Sequence, residues 1–317
     1  MSSRPPPPIA PAPAALAHTR PPGRGLALAL PAVIVGAVAV GFSPVFVRLS
    51  ELGPSATAFY RLLLALPALW LWMRIEARGL PPRDRPGRRE IALVVLAGLL
   101  FAGDLAFWHW SILLTSVANA TLFANFAPII VTFGAWALFR ERITMPHLAG
   151  LGLALGGAVM LVGASAGLDM AHVAGDGLGL VTALFFGSYI LVVKLLRRAL
   201  PTAVLMFWSS VVTCLALLPV AWAFGESVVP PSLYAWAVLL ALALVSQALG
   251  QGLIAYGLGH LPAGYSSIVI LLEPVTAAVL GWALLGEALG PLQAAGGGAV
   301  LAGIVVARRG RTSRQGG

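Results

Sequence analysis

Charge is scarce in this chain. Asp, Glu, Lys and Arg make up 10% of its 317 residues, against about 25% in soluble domains, and mean hydropathy is +0.92. A soluble core needs a polar exterior, and no stretch of this sequence supplies one, so the chain belongs in a bilayer. Cysteine is nearly absent too: Cys214 lies inside a hydrophobic run, and one thiol excludes an intrachain disulfide. There is no His-Glu-x-x-His, no Cys-x-x-Cys pair and no phosphate-binding Gly-rich loop with a Lys. Metal, redox and ATP chemistry are therefore unsupported, and no cofactor is expected. Gly163-Ala164-Ser165-Ala166-Gly167 does match Gly-x-Ser-x-Gly, but a nucleophile elbow needs a strand before its Ser. This Ser follows a membrane helix, so no catalytic residue is read from it.

Acidic residues number 11 against 20 basic ones, a net charge of +9. That excess points to topology and not to nucleic acid, because the basic residues sit in short loops and tails between hydrophobic runs. Spanning hydrocarbon takes about 20 apolar residues as helix, since every backbone N–H and C=O must be satisfied internally. Ten such segments are predicted, near 26–47, 55–73, 91–112, 117–139, 146–164, 177–195, 202–223, 233–257, 264–285 and 290–307. With the N-terminus inside, 18 of the 20 basic residues fall on one side. The opposite loops carry Glu51, Asp169, Asp176, Glu226 and Glu287, with only Arg48 against them. Basic loops stay cytoplasmic, so both termini are expected inside an inner (cell) membrane.

A shift of 146 positions lays the chain on itself. Pro128, Trp136, Glu141, Gly150, Gly152, Gly157 and Val159 fall on Pro274, Trp282, Glu287, Gly296, Gly298, Gly303 and Val305. Gly41, Val47 and Arg48 fall on Gly187, Val193 and Lys194. The expected organisation is two repeats, 26–163 and 172–309, each of five spans, with tails at 1–25 and 310–317. Met1 to Gly25, rich in Pro and Ala, reads as a disordered tail. A cleaved signal peptide is the rival reading, but cleavage would remove a helix whose counterpart in the second repeat is present. Five spans is an odd number, so the second copy enters the membrane from the opposite face. The fold class is thus an all-α membrane protein of ten transmembrane helices in two inverted five-helix repeats, an arrangement common in secondary transporters.

The stretch Asn125 to Gly157, with Pro128, Phe139-Arg140-Glu141-Arg142 and Gly150 to Gly157, resembles the end of an EamA domain. Glu273 to Gly303 resembles it again, with Pro274, Leu284-Leu285-Gly286-Glu287 and Gly296-Gly297-Gly298. Arg61-Leu62-Leu63-Leu64-Ala65 is similar to that family's Arg-containing second helix. The chain is identified as a member of the drug/metabolite transporter superfamily, EamA family. The resemblance implies a permease for small metabolites, with export of amino acids or related organic compounds as its expected task. The second repeat departs from the pattern by placing Phe207 where Arg61 has its counterpart.

Buried ionisable groups are costly enough in a bilayer to be functional suspects. Arg61 lies about eight residues into its helix, roughly 10 Å deep at 1.5 Å per residue. Its guanidinium either meets a substrate carboxylate or phosphate, or forms a permanent ion pair with Asp104 or Glu51. Asp104 and Glu273 are candidates for the coupling proton, or else static struts. His109 is a proton-relay candidate, or an interfacial residue in an aromatic belt with Trp108 and Trp110. Asn119, Asn125, Gln247 and Gln251 sit where lipid offers no partner and should face the interior, either on a substrate or on another helix. Gln247 and Gln251 share a face, as do Asp104, Trp108 and Ser111, and Ser266 and Glu273. A central cavity both polar and aromatic is expected.

Pro128 and Pro274 free the carbonyls of Ala124 and Ile270, which permits a kink and a gating role, or simply sets helix geometry. Gly152 and Gly156 are expected to let a neighbouring helix approach. Glu141 and Glu287 read as solvated or helix-terminal charges. The expected partners are the lipid bilayer and a small-molecule substrate, with a proton as the candidate coupling ion. A membrane-embedded enzyme for lipid or lipid-linked sugar, and a sensory or structural protein without flux, are the rivals.

Overall fold

A computed structural model describes residues 24–79, 86–114, 117–163, 173–286 and 290–312. Most of the expected N-terminal tail, Ser165, Asp169 and Glu287 lie outside them. All regular structure among the described residues is helical. We number ten spanning units: α1 (Arg24–Gly41 and Ser43–Leu49), α2 (Pro54–Leu63 and Leu66–Arg78), α3 (Arg88–Leu114), α4 (Val117–Ala124 and Ala127–Phe139) and α5 (Met145–Gly163). The second set is α6 (Val173–Leu196), α7 (Thr202–Ala223), α8 (Leu233–Ala241, Leu242–Gln251 and Gly252–Leu258), α9 (Ala263–Ile270 and Leu272–Leu285) and α10 (Pro291–Thr312). Nine are long and apolar enough to cross a bilayer, and α5 is a shorter apolar helix. Large side chains such as Trp70, Leu215 and Val305 are exposed around the outside, as lipid requires. The twin residues Trp136 and Trp282 both face outward, 58% and 56% exposed.

Four spans are broken, and proline explains each break. Pro44, Pro67 and Pro128 open new helical segments, and Pro274 stands in the first turn of another. Without an N–H, proline cannot bond back one turn, so the preceding segment ends there. The segments before Pro128 and Pro274 end at Ala124 and Ile270, the two residues whose carbonyls the sequence says are freed.

The repeats run antiparallel to one another. A Cβ on Gly150 would stand 2.6 Å from the Gly303 carbonyl oxygen, and one on Gly157 would stand 2.6 Å from that of Gly296. As the number rises along α5 it falls along α10, so the pair crosses head to tail at backbone contact. Under the 146-residue shift this contact maps onto itself. A second pair shows the same symmetry: Gly41 in α1 meets Thr276 in α9, and Gly187 in α6 meets Ile130, the twin of Thr276, in α4. The first helix of each repeat therefore packs on the fourth helix of the other. The expected role of Gly152 and Gly156 is corrected, because nothing lies within 4 Å of a Cβ placed on either among the described residues. Gly150 and Gly157 make the close approach instead.

Acidic residues tie the repeats at their ends. The first N–H groups of a helix have no intrahelical partner and attract a carboxylate. Ser55 and Ala56, opening α2, donate to Glu226 beyond α7 at 3.1 and 2.8 Å. Thr202 and Ala203, opening α7, donate to Glu76 near the end of α2 at 3.2 and 2.8 Å. The two helices cap each other. Ala263 and Gly264, opening α9, donate to Glu141 beyond α4 at 2.9 and 3.3 Å. Glu141 reaches them because Arg140 takes a left-handed conformation (φ 55°), as its twin Gly286 does (φ 69°). So Glu141 is a helix-terminal charge, and the terminus it serves belongs to the other repeat. At the end rich in basic residues, Lys194 donates to the Leu258 and Leu261 carbonyls at 2.9 and 2.6 Å, closing the C-terminus of α8.

Candidate transport cavity

Between the repeats lies an open cavity of about 120 Å³. Its polar wall is formed by Ser43 from α1, Arg61 from α2, Asp104 from α3, Thr121 and Asn125 from α4, Thr182 from α6, Gln251 from α8, and Ser267 and Glu273 from α9. Phe101, Trp108 and Phe186 add rings. The helix breaks help to build it: Asn125 sits in the turn between the two segments of α4, and Glu273 is the second residue of the second segment of α9. An acid in the first turn of a helix is favoured by the backbone dipole, so the break before Pro274 supplies both the position and part of the compensation for Glu273.

Arg61 is buried, and among the described residues its two side-chain hydrogen bonds go to neutral groups. Its Nε donates to Gln247 Oε1 at 3.1 Å and its Nη1 to Ser43 Oγ at 3.0 Å. The Phe101 ring centre lies 5.8 Å from the guanidinium carbon. Of the five N–H donors of a guanidinium, these bonds use two. The ion pair with Glu51 expected as one alternative is not formed, since Glu51 accepts from Ser232 Oγ at 2.6 Å. Asp104 and Glu273 share the cavity wall with Arg61 without forming a direct ion pair to it among the described residues. Asn125 Nδ2 is buried with no hydrogen-bond partner among the described residues. The wall thus presents a cation, two carboxyl groups and an amide donor to one shared space.

The structure brings together Arg61, Asp104, Trp108, Asn125, Gln251, Glu273 and Pro128 of the residues the sequence singled out. Gln247, 1% exposed, stands behind Arg61 and not on the wall. Pro274 is buried at its break beside Glu273. The side chains of His109 and Asn119 lie outside the described residues. Ser111 donates to the Gly175 carbonyl at 2.7 Å, which ties α3 to α6. On α9 it is Ser267, and not Ser266, that reaches the cavity. Ser266 donates to Pro262. Sequence reasoning missed Ser43 and Phe101, although each carried a signal: Ser43 precedes a proline inside the first span, and Phe101 lies one turn before Asp104.

The positions on the wall come largely in twins, such as Leu105 with Gln251, Thr121 with Ser267 and Asn125 with Leu271. The charges do not: Arg61, Asp104 and Glu273 have Phe207, Gly250 and Ala127 as counterparts. The scaffold is symmetric and its chemistry is polarised.

Comparison with known proteins agrees with this architecture. The chain is 27% identical over 278 residues to an uncharacterized transporter of Archaeoglobus fulgidus, covering 88% of this chain and 95% of that one. It is 28% identical over 275 residues to a probable terminal-alkyne amino-acid exporter of Streptantibioticus cattleyicolor, covering 86% and 89%. A protein of known crystal structure superposes with a TM-score of 0.77 at 20% identity, over 89% of this chain and 98% of that one, and so shares the fold. The family model for EamA-like transporters matches residues 27–163 and again 173–309. Both halves being matched, the chain belongs to the EamA-like transporter family and is a multi-pass membrane transporter of small molecules.

Proposed function

We propose that this protein exports small zwitterions of the amino-acid class across the inner membrane by alternating access, with both chain termini in the cytoplasm. One observation carries the reading: a buried guanidinium with N–H groups to spare shares a cavity with two carboxyl groups that do not bond it. A substrate carboxylate suits the planar fork of Arg61. A substrate ammonium suits Asp104 or Glu273, and Trp108 and Phe186 offer an apolar side. The name of the Streptantibioticus relative, a probable terminal-alkyne amino-acid exporter, supports both substrate class and direction. The asymmetric loop charge supports the orientation. Two similar halves of opposite orientation can exchange conformations, which supports alternating access.

Counterflow in proteoliposomes tests the substrate class. Labelled L-leucine, L-threonine and L-phenylalanine are offered against their amides, which lack the carboxylate, and their 2-oxo acids, which lack the ammonium. At least one amino acid should exchange, and its amide and oxo acid should not compete at tenfold excess. Equal competition by the amide would defeat the reading of Arg61. A second prediction concerns the proton. Whichever of Asp104 and Glu273 does not bind the ammonium is the proton carrier, and its Asn or Gln variant should still exchange substrate but no longer respond to an imposed pH gradient. Unchanged pH coupling in both variants would remove these two residues as proton carriers.

A further inference from the structure

We infer that Gln247 is a positioning residue for Arg61, and that its neutrality keeps the guanidinium charge available to the substrate. This inference rests on the reading of Arg61 as the carboxylate-binding group.

The backbone of α8 is π-helical over Leu242–Gln251, between two α-helical segments. Such stretches are rare and gather at functional sites, because widening the turn re-aims the side chains it carries. Here the buried face of the stretch includes Ser246, Gln247 and Gln251. Ser246 donates to the Ala39 carbonyl at 3.1 Å, which fixes α8 against α1. Gln247 is held at both ends of its amide, its Oε1 by Arg61 Nε at 3.1 Å and its Nε2 by Ser210 Oγ of α7 at 3.4 Å. The orientation of that amide is dictated chemically, because a guanidinium has donors only and can meet only the oxygen. Gln251, four residues on, reaches the cavity wall.

Gln247 and Ser43 hold the guanidinium through two of its nitrogens, Nε and Nη1, and its carbon lies over the Phe101 ring. The N–H groups they leave over are those of Nη2 and one on Nη1, the atoms able to grip a carboxylate from the cavity. Phe101 and Gln247 are twins under the 146-residue shift. Each repeat therefore brings the same position of its third helix to the one arginine, as a ring from the first and as an amide from the second. A carboxylate at position 247 would hold the arginine equally well and neutralise it. The amide orients without competing.

The test compares Gln247→Glu, which keeps the shape and adds a charge, with Gln247→Met, which keeps approximate size and removes the acceptor. KM and maximal rate are measured for whichever of L-leucine, L-threonine and L-phenylalanine the wild type exchanges best, beside thermal stability in detergent and the flux of Arg61→Ala. Gln247→Glu should raise KM at least tenfold while melting no lower than wild type, and Gln247→Met should raise KM less. A merely structural residue would instead lose stability and affinity together in both variants, which overturns the proposal. An unchanged KM in Gln247→Glu, where Arg61→Ala is inactive, overturns it while leaving the function of Arg61 standing. Normal flux in Arg61→Ala overturns both readings.

Discussion

Replacing Gly157 with leucine should abolish assembly of the ten-helix body, while the same change one residue earlier, at Gly156, leaves it intact. The two glycines are adjacent in α5 and equal in composition and hydropathy. They differ in what their side-chain direction meets. A Cβ on Gly157 would stand 2.6 Å from both the Gly296 oxygen and the Val300 nitrogen, and 2.9 Å from the Ala299 Cβ. The first two are backbone atoms, which cannot turn aside as a flexible side chain can. Overpacking a core by ordinary side-chain contact costs about 1–3 kcal/mol. A leucine here would have to drive two helices apart, and that crossing joins one repeat to the other. Within a membrane, lipid tails are as apolar as the interface, so close packing itself carries helix association. No alternative partner offsets the loss. A monodisperse peak in detergent and a cooperative melt are expected for Gly156→Leu, and an aggregated or unfolded profile for Gly157→Leu. Equal behaviour of the two variants would show that the α5–α10 contact does not hold the halves together.

That pair of glycines also marks where the sequence stops being readable. The spans were legible because bilayer thickness sets their length, and the breaks in α4 and α9 because proline removes an N–H at a known place. The inverted pairing followed from an odd number of spans per repeat. Which face of each helix turns inward was harder to read. Gly152 and Gly298 are twins and both glycine, yet nothing lies within 4 Å of a Cβ on either among the described residues, so repetition alone does not distinguish a contact from an open face.

The cavity shows the same limit for a different reason. Ser266 and Glu273 share a face on an unbroken helix, but α9 stops at Ile270 and restarts at Leu272. The helical phase shifts across the break, and Ser267 comes to the wall in place of Ser266. Gln247 and Gln251 do share the buried face of α8, but they meet different neighbours across it. One amide stands on the wall and the other behind Arg61. Asn125, Gln247 and Gln251 do lie inside, since lipid offers them nothing. Sorting those that face the cavity from those that support others required the break in α9 and the packing between helices.

Arg61→Ala should reduce transport at least a hundredfold in protein that remains folded, and Arg61→Lys should reduce it at least tenfold. Removing one partner of a buried charge contact costs about 2–5 kcal/mol, and a hundredfold is about 2.7 kcal/mol at 1.36 kcal/mol per decade. The alanine variant loses the only cation on the described wall, leaving Asp104 and Glu273 without an opposite charge in the cavity. Lysine keeps the charge as a compact ammonium but loses the planar fork. It cannot reproduce the separate bonds from Nε to Gln247 and from Nη1 to Ser43, so its charge has no fixed direction toward the cavity. The second repeat provides no substitute, because the twin of Arg61 is Phe207. The affinity of the lysine variant for the best-exchanged amino acid should therefore fall more than its maximal rate. Both variants should melt within a few degrees of wild type, because among the described residues the Arg61 side chain bonds no backbone group and closes no helix end. Flux at the wild-type level in the folded alanine variant would remove the anion-binding role of Arg61 and, with it, the zwitterion as the expected cargo.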